Sequence, residues 1–218
     1  MKKKIIYIIT PSNSIELIGG TNRRILNWMT SIELNTYDIK LLISGHNIND
    51  SKKITSAYKD RGIRTVYIPN LTFPKYLLPW NFIRFYRFLK REKPTIIHTL
   101  LIQSDILGGL AKLFKLTNIH VSSLEGALYP KNTFKSLFYA FVFEHTKKQT
   151  DKFIALCNYT KNQAELSYGV NRNKITIINS GIKLEEFPFK NNLITKFSKR
   201  QVTIGFLGRI HNEKCIHQ

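Results

Sequence analysis

The sequence predicts an α/β protein built on a doubly wound parallel sheet. Short apolar segments rich in β-branched residues alternate along the chain with segments of helical periodicity, which is typical of strand–helix–strand units. Most of these apolar segments are continuous, as expected when helices cover both faces of a sheet. With 218 residues, of which 43% are hydrophobic, the chain is long enough to bury a full core.

The expected elements can be placed in chain order. Strands are predicted at residues 4–10, 38–44, 64–69, 95–99, 119–124, 152–157, 175–179 and 202–207. Helices are predicted at residues 21–34, 51–61, 81–93, 103–115, 133–149 and 160–168. In the first helix Ile25, Met29 and Ile32 share one face, which is therefore expected to pack on the sheet.

Residues 182–200 break the alternation and predict an interdomain linker. They contain Pro188, Asn191 and Asn192 and show no clear period. Residues 1–181 would then form a first, Rossmann-like domain, and residues 201–218 the first strand and turn of a second. Because the chain stops where a helix should follow that strand, we expect the second domain to be truncated.

The chain is strongly basic. Its 34 lysines and arginines against 14 aspartates and glutamates give a net charge of +20, which favours an anionic partner such as a nucleic acid, a lipid headgroup surface or a phosphorylated substrate. A lysine-rich solvated surface accounts for the charge equally well. The sequence has no helix-turn-helix, zinc-ligand spacing or aromatic RNA-binding strand pattern, so nucleic acid is not the expected partner.

Cysteine content and the N-terminus indicate the cellular compartment. Cys157 and Cys215 are the two cysteines, too few for a disulfide framework or a metal site. Cys157 ends an apolar run and is expected to be a small buried thiol. The first apolar run is too short for a signal peptide, and no stretch reaches the roughly 20 apolar residues of a membrane span. A cytoplasmic location is therefore expected.

Several candidate ligand-binding residues follow the ends of predicted strands, where open α/β sheets bind ligands. Gly19 and Gly20 precede the first helix, whose N-terminus favours an anion, although a glycine pair also makes an ordinary turn. His98 ends the fourth strand, and Glu125 and Gly126 follow the fifth. A carboxylate here could orient a hydroxyl or accept a proton. His98 is better interpreted as a structural histidine.

A second candidate site lies near the C-terminus. The strand predicted at residues 202–207 runs into Gly208, whose lack of a side chain lets a polyanion approach the backbone. Arg209 and Lys214 follow, five residues apart. A planar guanidinium and a point-charge ammonium are suited to clamp a diphosphate.

Residues 73–93 are rich in aromatic and basic side chains. At helical spacing one side carries Phe82, Phe85, Tyr86 and Leu89, and the opposite side carries Arg84, Arg87 and Arg91, with Trp80 leading in. Such a helix suits an anionic membrane surface, with its aromatic residues at headgroup depth. An ordinary amphipathic helix packed on the sheet is the favoured alternative, although Phe88 fits it poorly.

Taken in order, these features resemble family 4 glycosyltransferases of the two-domain GT-B architecture. The matching pieces are the Gly19-Gly20 pair with Arg23 or Arg24, residues 96–99, 124–126, 151–157 and 174–182 with Phe187, and Gly208-Arg209 with Glu213-Lys214. The resemblance covers the whole chain, which corresponds to the N-terminal domain and the opening of the C-terminal domain.

The resemblance implies transfer of a sugar from a nucleotide-diphosphate donor, with retention at the anomeric carbon. The donor is a substrate, and no cofactor or metal is predicted. Arg209 and Lys214 match positions that neutralise the leaving diphosphate, and Gly20, next to Gly19, matches a glycine whose amide approaches the donor phosphates. In the oxocarbenium-like transition state, negative charge builds up on the leaving diphosphate, and fixed cations there would stabilise that charge.

The resemblance also assigns the acceptor to the N-terminal domain, in a crevice that includes His98 and Gly126. Glu125, which stands where the family often has histidine, is the catalytic candidate. The family's paired glutamates that hold the donor would lie beyond Gln218, so this chain alone is expected to be weakly active or inactive.

Two hypotheses follow. The first is a fragment of a glycosyltransferase that acts on a glycan or lipid-linked acceptor in cell-surface polysaccharide synthesis, bound peripherally to the inner face of the cell membrane. The second is a non-catalytic basic module that binds an anionic membrane surface or a partner protein. The donor sugar, the acceptor and the linkage are not specified by the sequence.

Overall fold

The computed structural model describes residues 4–11, 20–31, 37–45, 51–71, 75, 78–125, 134–181 and 184. The chain divides into two units, Met1–Ile182 and Lys183–Gln218. The second unit lies almost entirely outside the described residues, as does the strand predicted at residues 202–207. The boundaries predicted for the linker and the second domain therefore stay predictions.

The described residues form alternating strands and helices. The strands are β1 (Lys4–Pro11), β2 (Tyr37–Gly45), β3 (Thr65–Pro69), β4 (Ile96–Leu100), β5 (Ile119–Leu124), β6 (Lys152–Ala155) and β7 (Ile175–Ile177). The helices are α1 (Gly20–Ser31), α2 (Ser51–Lys59), α3 (Pro79–Glu92), α4 (Ile102–Leu113), α5 (Phe134–Thr146) and α6 (Asn158–Tyr168). None of these helices is long and apolar enough to cross a membrane.

All strands in the described part of the chain pair in parallel within one sheet, in the order β3-β2-β1-β4-β5-β6-β7. The chain thus winds outward from β1 in one direction, returns through α3, and winds outward from β4 in the other. Because each crossover is expected to be right-handed, helices cover both faces of the sheet. This topology confirms the predicted Rossmann-like, doubly wound α/β fold.

Successive side chains of β1 point to opposite faces of the sheet and pack against different helices. Tyr7 and Ile9 share a core cluster with Phe85 and Leu89 of α3. Ile8, between them in the sequence, packs in a second cluster whose helix residues are Ile25, Met29 and Tyr58. The two helix layers therefore clamp the central strand, which explains why β1 reads as a continuous apolar run.

Helix α3 begins two residues earlier than the periodicity predicts. Pro79 occupies the first turn, where proline is tolerated because its missing N–H has no intrahelical partner. Lys93 ends the helix in the left-handed conformation and donates its N–H to the carbonyl of Leu89 at 2.8 Å. Pro94, which disfavours helical geometry at the residue before it, accounts for this stop.

The prediction of a buried Cys157 thiol is wrong. Strand β6 ends at Ala155, and Cys157 is an exposed, extended residue at the N-cap of α6. The apolar run that suggested burial stops contributing to the sheet two residues before the cysteine. Its thiol lies 3.4 Å from the Thr160 hydroxyl, and hydrogen bonds from Thr160 lower its pKa.

A buried polar network joins α4 to the sheet. The Thr99 hydroxyl donates to Asp105 Oδ1 at 2.5 Å and lies 2.9 Å from His120 Nε2. Thr150 contacts the other ring nitrogen at 3.2 Å. Burial lowers the pKa of His120 to about 3 and raises the pKa of Asp105 to about 7. His120 is therefore uncharged at neutral pH, and Gly108 of α4 lies directly against its ring.

Gly108→Ala is expected to destabilise the fold. A Cβ at this position would collide with His120 Nε2 and the Thr99 methyl group, and overpacking of this kind costs roughly 1–3 kcal/mol. Urea denaturation measures the change in the free energy of unfolding.

Gly20→Ala is the matched control, because a Cβ there meets nothing within 4 Å. If Gly108→Ala lowered the free energy of unfolding no more than Gly20→Ala does, the packing described for α4 would be contradicted.

Candidate active-site crevice

A buried ion pair links α1 to the end of β5. Arg24 Nη2 contacts Glu125 Oε1, and the two side chains are only 6% and 8% exposed. The Thr21 hydroxyl donates to Glu125 Oε2 at 3.0 Å, and Arg24 Nη1 donates to the Ser180 hydroxyl at 3.3 Å. The pair therefore joins three segments that are distant in sequence.

The indole of Trp28 continues this cluster along α1. The Arg24 guanidinium lies 4.7 Å from the centroid of the indole, which in turn stacks on the His98 ring at 5.4 Å and 23°. His98 Nε2 shares a 2.7 Å hydrogen bond with the Ser123 hydroxyl. The imidazole is thus fixed both by stacking and by a polar contact from the neighbouring strand.

Burial sets the charges in this crevice. It lowers the pKa of Arg24 to about 10, so the guanidinium remains charged at neutral pH. The pKa of His98 falls to about 4, chiefly because the ring is buried and secondly because Arg24 is nearby. His98 is therefore a neutral imidazole at neutral pH, whereas Arg24 is a fixed cation beside a carboxylate.

The crevice lies where the strand order reverses. β1 and β4 are neighbours in the sheet, but the connections that follow them lead in opposite directions. Open α/β sheets bind ligands at this position, outside the carboxyl ends of the strands. Gly20 begins α1 here, and the positive end of the helix and its free N–H groups suit an anion.

Strained backbone also occurs at this edge. Leu101, which joins β4 to α4, has φ of 71° and ψ of 147°, a conformation found almost only in glycine and costing roughly 1–3 kcal/mol. Its carbonyl accepts the N–H groups of Ser104 and Asp105 at 3.0 and 3.2 Å. The sequence offers no signal for this strain, because leucine is a poor predictor of positive φ.

The structure brings three of the sequence-predicted residues to one edge of the sheet. Gly20 starts α1, His98 lies in β4, and Glu125 directly follows β5. The described contacts of the Glu125 carboxylate are to Arg24 and Thr21. A carboxylate with these partners acts as a hydrogen-bond acceptor. Its catalytic role, like the acceptor role of His98, stays a prediction.

The other predicted residues of this crevice lie outside the described residues. They are Gly19, Gly126, Arg209 and Lys214. Their roles, including the proposed clamp on the donor diphosphate, stay predictions.

Sequence reasoning missed most of the first helix's contribution. It left Arg23 and Arg24 as alternatives and assigned no side-chain role to Thr21, Trp28 or Ser180. Residues 21, 24 and 28 follow helical spacing, and that pattern could have identified Arg24 as the inward arginine. The structure places Arg24 inside and Arg23 on the exposed side of α1.

The four predicted membrane-surface residues also share one locality. Trp80 is 65% exposed, and Arg84, Arg87 and Arg91 follow it along the outer side of α3. Phe85 and Leu89 on the opposite side are fully buried. The amphipathic interpretation of this helix is therefore correct, and both packing and an outward basic face are present. Phe88 packs edge-on against Tyr7 at 5.5 Å, which explains its position near the arginines.

Comparison with known proteins defines the class to which this chain belongs. The model of Glycosyltransferase Family 4 matches residues 18–186, which include α1, the Arg24–Glu125 pair and the end of β7. The chain therefore belongs to glycosyltransferase family 4, a family of transferase enzymes, as the motif order predicted.

A curated relative from Escherichia coli is named UDP-Gal:alpha-D-GlcNAc-diphosphoundecaprenol alpha-1,3-galactosyltransferase. It is 27% identical to this chain over 175 residues, which make up 78% of this chain and 44% of the relative. The chain thus spans less than half the length of that enzyme.

Solved structures share the fold at low sequence identity. Anabaena Alr3699/HepE in complex with UDP matches with a TM-score of 0.62 and 13% identity, over 86% of this chain and 47% of its own. A glycosyltransferase from Rickettsia africae matches with a TM-score of 0.58 and 17% identity, over 86% and 45%. A UDP-GlcNAc 2-epimerase from Methanocaldococcus jannaschii reaches 0.54 and 16%, over 80% and 45%. These likenesses confirm the fold.

The coupling between Arg24 and Glu125 can be measured by a double-mutant cycle. Arg24→Met and Glu125→Leu are each expected to cost roughly 3–5 kcal/mol of unfolding free energy, because each leaves the other charge buried without its partner. The double variant should cost clearly less than the two losses added together. Additive losses in urea denaturation would contradict a buried pair.

The neutral state of His98 predicts a pH dependence of stability. The pKa of His98 is about 4 in the folded chain and 6.5 as a free side chain. Between these two pH values the unfolded chain binds a proton at His98 and the folded chain does not. The contribution of the neutral His98 ring to the free energy of unfolding is complete above pH 6.5 and is lost as pH falls toward 4, by about 1.4 kcal/mol per pH unit. His98→Gln should flatten the dependence of unfolding free energy on pH by that amount.

The parent chain is the control for His98→Gln, because the other buried groups with shifted pKa values, His120 and Asp105, remain in both proteins. Denaturation midpoints are compared at intervals across this pH range. Parallel curves for the two proteins would contradict a neutral, buried His98.

Proposed function

We propose that this chain is the acceptor-side part of a retaining glycosyltransferase, which transfers a sugar from a nucleotide-diphosphate donor to a glycan or lipid-linked acceptor in cell-surface polysaccharide synthesis. The proposal places the protein in the cytoplasm, peripherally bound to the inner face of the cell membrane. The donor is its substrate, and the proposal includes no cofactor or metal.

The observation that carries this proposal is the crevice at the sheet's reversal point. It combines the N-terminus of α1 at Gly20, a fixed guanidinium on Arg24 and the carboxylate of Glu125 in one polar edge. Arg24 Nε is buried and has no hydrogen-bond partner among the described residues. A phosphorylated sugar offers anionic and hydroxyl groups that match these donors and acceptors.

The relative from Escherichia coli supports the substrate class. Its name specifies a UDP-linked sugar as donor and a sugar diphosphate on a polyprenol as acceptor. The net charge of +20 is suited to both diphosphates and to the anionic membrane in which such an acceptor resides.

Titration of UDP into the purified chain tests the diphosphate site. Saturable binding is expected, and Gly20→Ala is expected to weaken it about tenfold, because the added methyl group holds the diphosphate away from the backbone N–H groups at the start of α1. The open space around Gly20 means that this variant should unfold at the same urea concentration as the parent chain.

Uridine, which lacks the diphosphate, is the control ligand and is expected to bind far more weakly. Equal affinity for uridine and UDP, or unchanged UDP affinity in Gly20→Ala, would contradict the proposed site. Either result would leave the second hypothesis, a basic module without catalysis, as the better interpretation.

A further inference from the structure

A long groove runs between the edge strand β3 and the outer side of α3, away from the active-site crevice. Its volume is about 980 Å³. The strand contributes Val66 and Ile68, and the helix contributes Ile83, Arg84, Arg87 and Phe88. A second depression of about 550 Å³ continues it past Phe88 and Arg91 toward Lys40 and Arg64. The groove is large enough for a headgroup with an attached chain.

The floor and the rim of this groove differ in polarity. The floor is apolar, because Ile68 is 4% exposed and Val66 and Phe88 are half-buried beside it. At the end nearest the start of α3, Trp80 and Ile83 remain 65% and 44% exposed. Large apolar side chains left in solvent beside an apolar floor indicate an amphiphilic ligand.

The rim of the groove carries positive charge that the described residues do not neutralise. Arg84 and Arg87 are exposed and one helical turn apart, and neither forms an ion pair within the described part of the chain. Arg91 lies 3.5 Å from Glu92. That carboxylate already accepts hydrogen bonds from Lys40 and Tyr7, each at 2.8 Å. Two free guanidinium groups at this spacing suit one phosphate.

We propose that this groove holds one anionic phospholipid of the membrane, with its phosphate on Arg84 and Arg87 and an acyl chain over Ile68 and Phe88. Trp80 then lies at headgroup depth, where indole rings are favoured. A nucleic acid would satisfy the arginines but has no aliphatic chain for the floor, so the apolar lining favours the lipid. The inference rests on the membrane location in the proposed function and adds the ligand and its site.

Titration with a monomeric short-chain lipid tests this site. Dihexanoyl phosphatidylglycerol, below its micellar concentration, is expected to bind saturably with one lipid per chain. The double variant Arg84→Gln/Arg87→Gln should weaken binding by about tenfold or more, through loss of two charged contacts. Both arginines are exposed, so the variant should keep the unfolding midpoint of the parent chain.

Matched controls separate a built site from diffuse attraction. Arg61→Gln/Arg172→Gln removes the same charge from two exposed positions outside the groove and should change the affinity less than twofold. Glycerophosphoglycerol, which keeps the singly charged phosphodiester headgroup but has no acyl chain, should bind at least tenfold more weakly.

Three results would overturn the proposal. They are an absence of saturable lipid binding, equal weakening by the control variant, and equal affinity for glycerophosphoglycerol. Each is distinguishable from failure of the proposed function, because UDP binding and its dependence on Gly20 are measured separately and without lipid.

Discussion

Parallel pairing forces every strand of this sheet to end at the same edge, and the reversal of strand order between β1 and β4 opens a crevice in that edge. The rest of the site depends on this constraint. It brings the first turn of α1, the end of β5 and the segment after β7 together, although Arg24, Glu125 and Ser180 are distant in sequence. A sheet wound in one direction only would leave the helix and the strand end apart.

A buried ion pair such as this one adds little net stability to a fold. Taking two charges out of water costs several kcal/mol per ion, and an apolar pair of similar volume is often as stable. The Arg24–Glu125 pair instead fixes the direction of two groups beside the helix N-terminus. With His98 neutral and stacked on Trp28, the crevice presents one cation, one carboxylate and one uncharged imidazole in set positions.

The sequence was sufficient to predict the elements of the described sheet, because parallel strands buried on both faces leave continuous apolar runs. It also predicted that Gly20, His98 and Glu125 belong to one edge, since strand ends identify that edge. It did not predict the contacts among them. The choice of Arg24 over Arg23, the Trp28–His98 stack and the strain at Leu101 depend on helix rotation and tertiary packing. Cys157 was misplaced because an apolar run continued past the end of its strand.

In this structure Arg24 is a buried, charged guanidinium held by Glu125. Nuclear magnetic resonance of the arginine Nε–H groups can detect both its burial and its response to a bound diphosphate. We expect one Nε–H signal that exchanges slowly with water, disappears in Arg24→Met and moves when UDP is added. If the Arg24 signal exchanged as rapidly as those of the exposed arginines and ignored both Glu125→Gln and UDP, the buried pair and the crevice built on it would be contradicted.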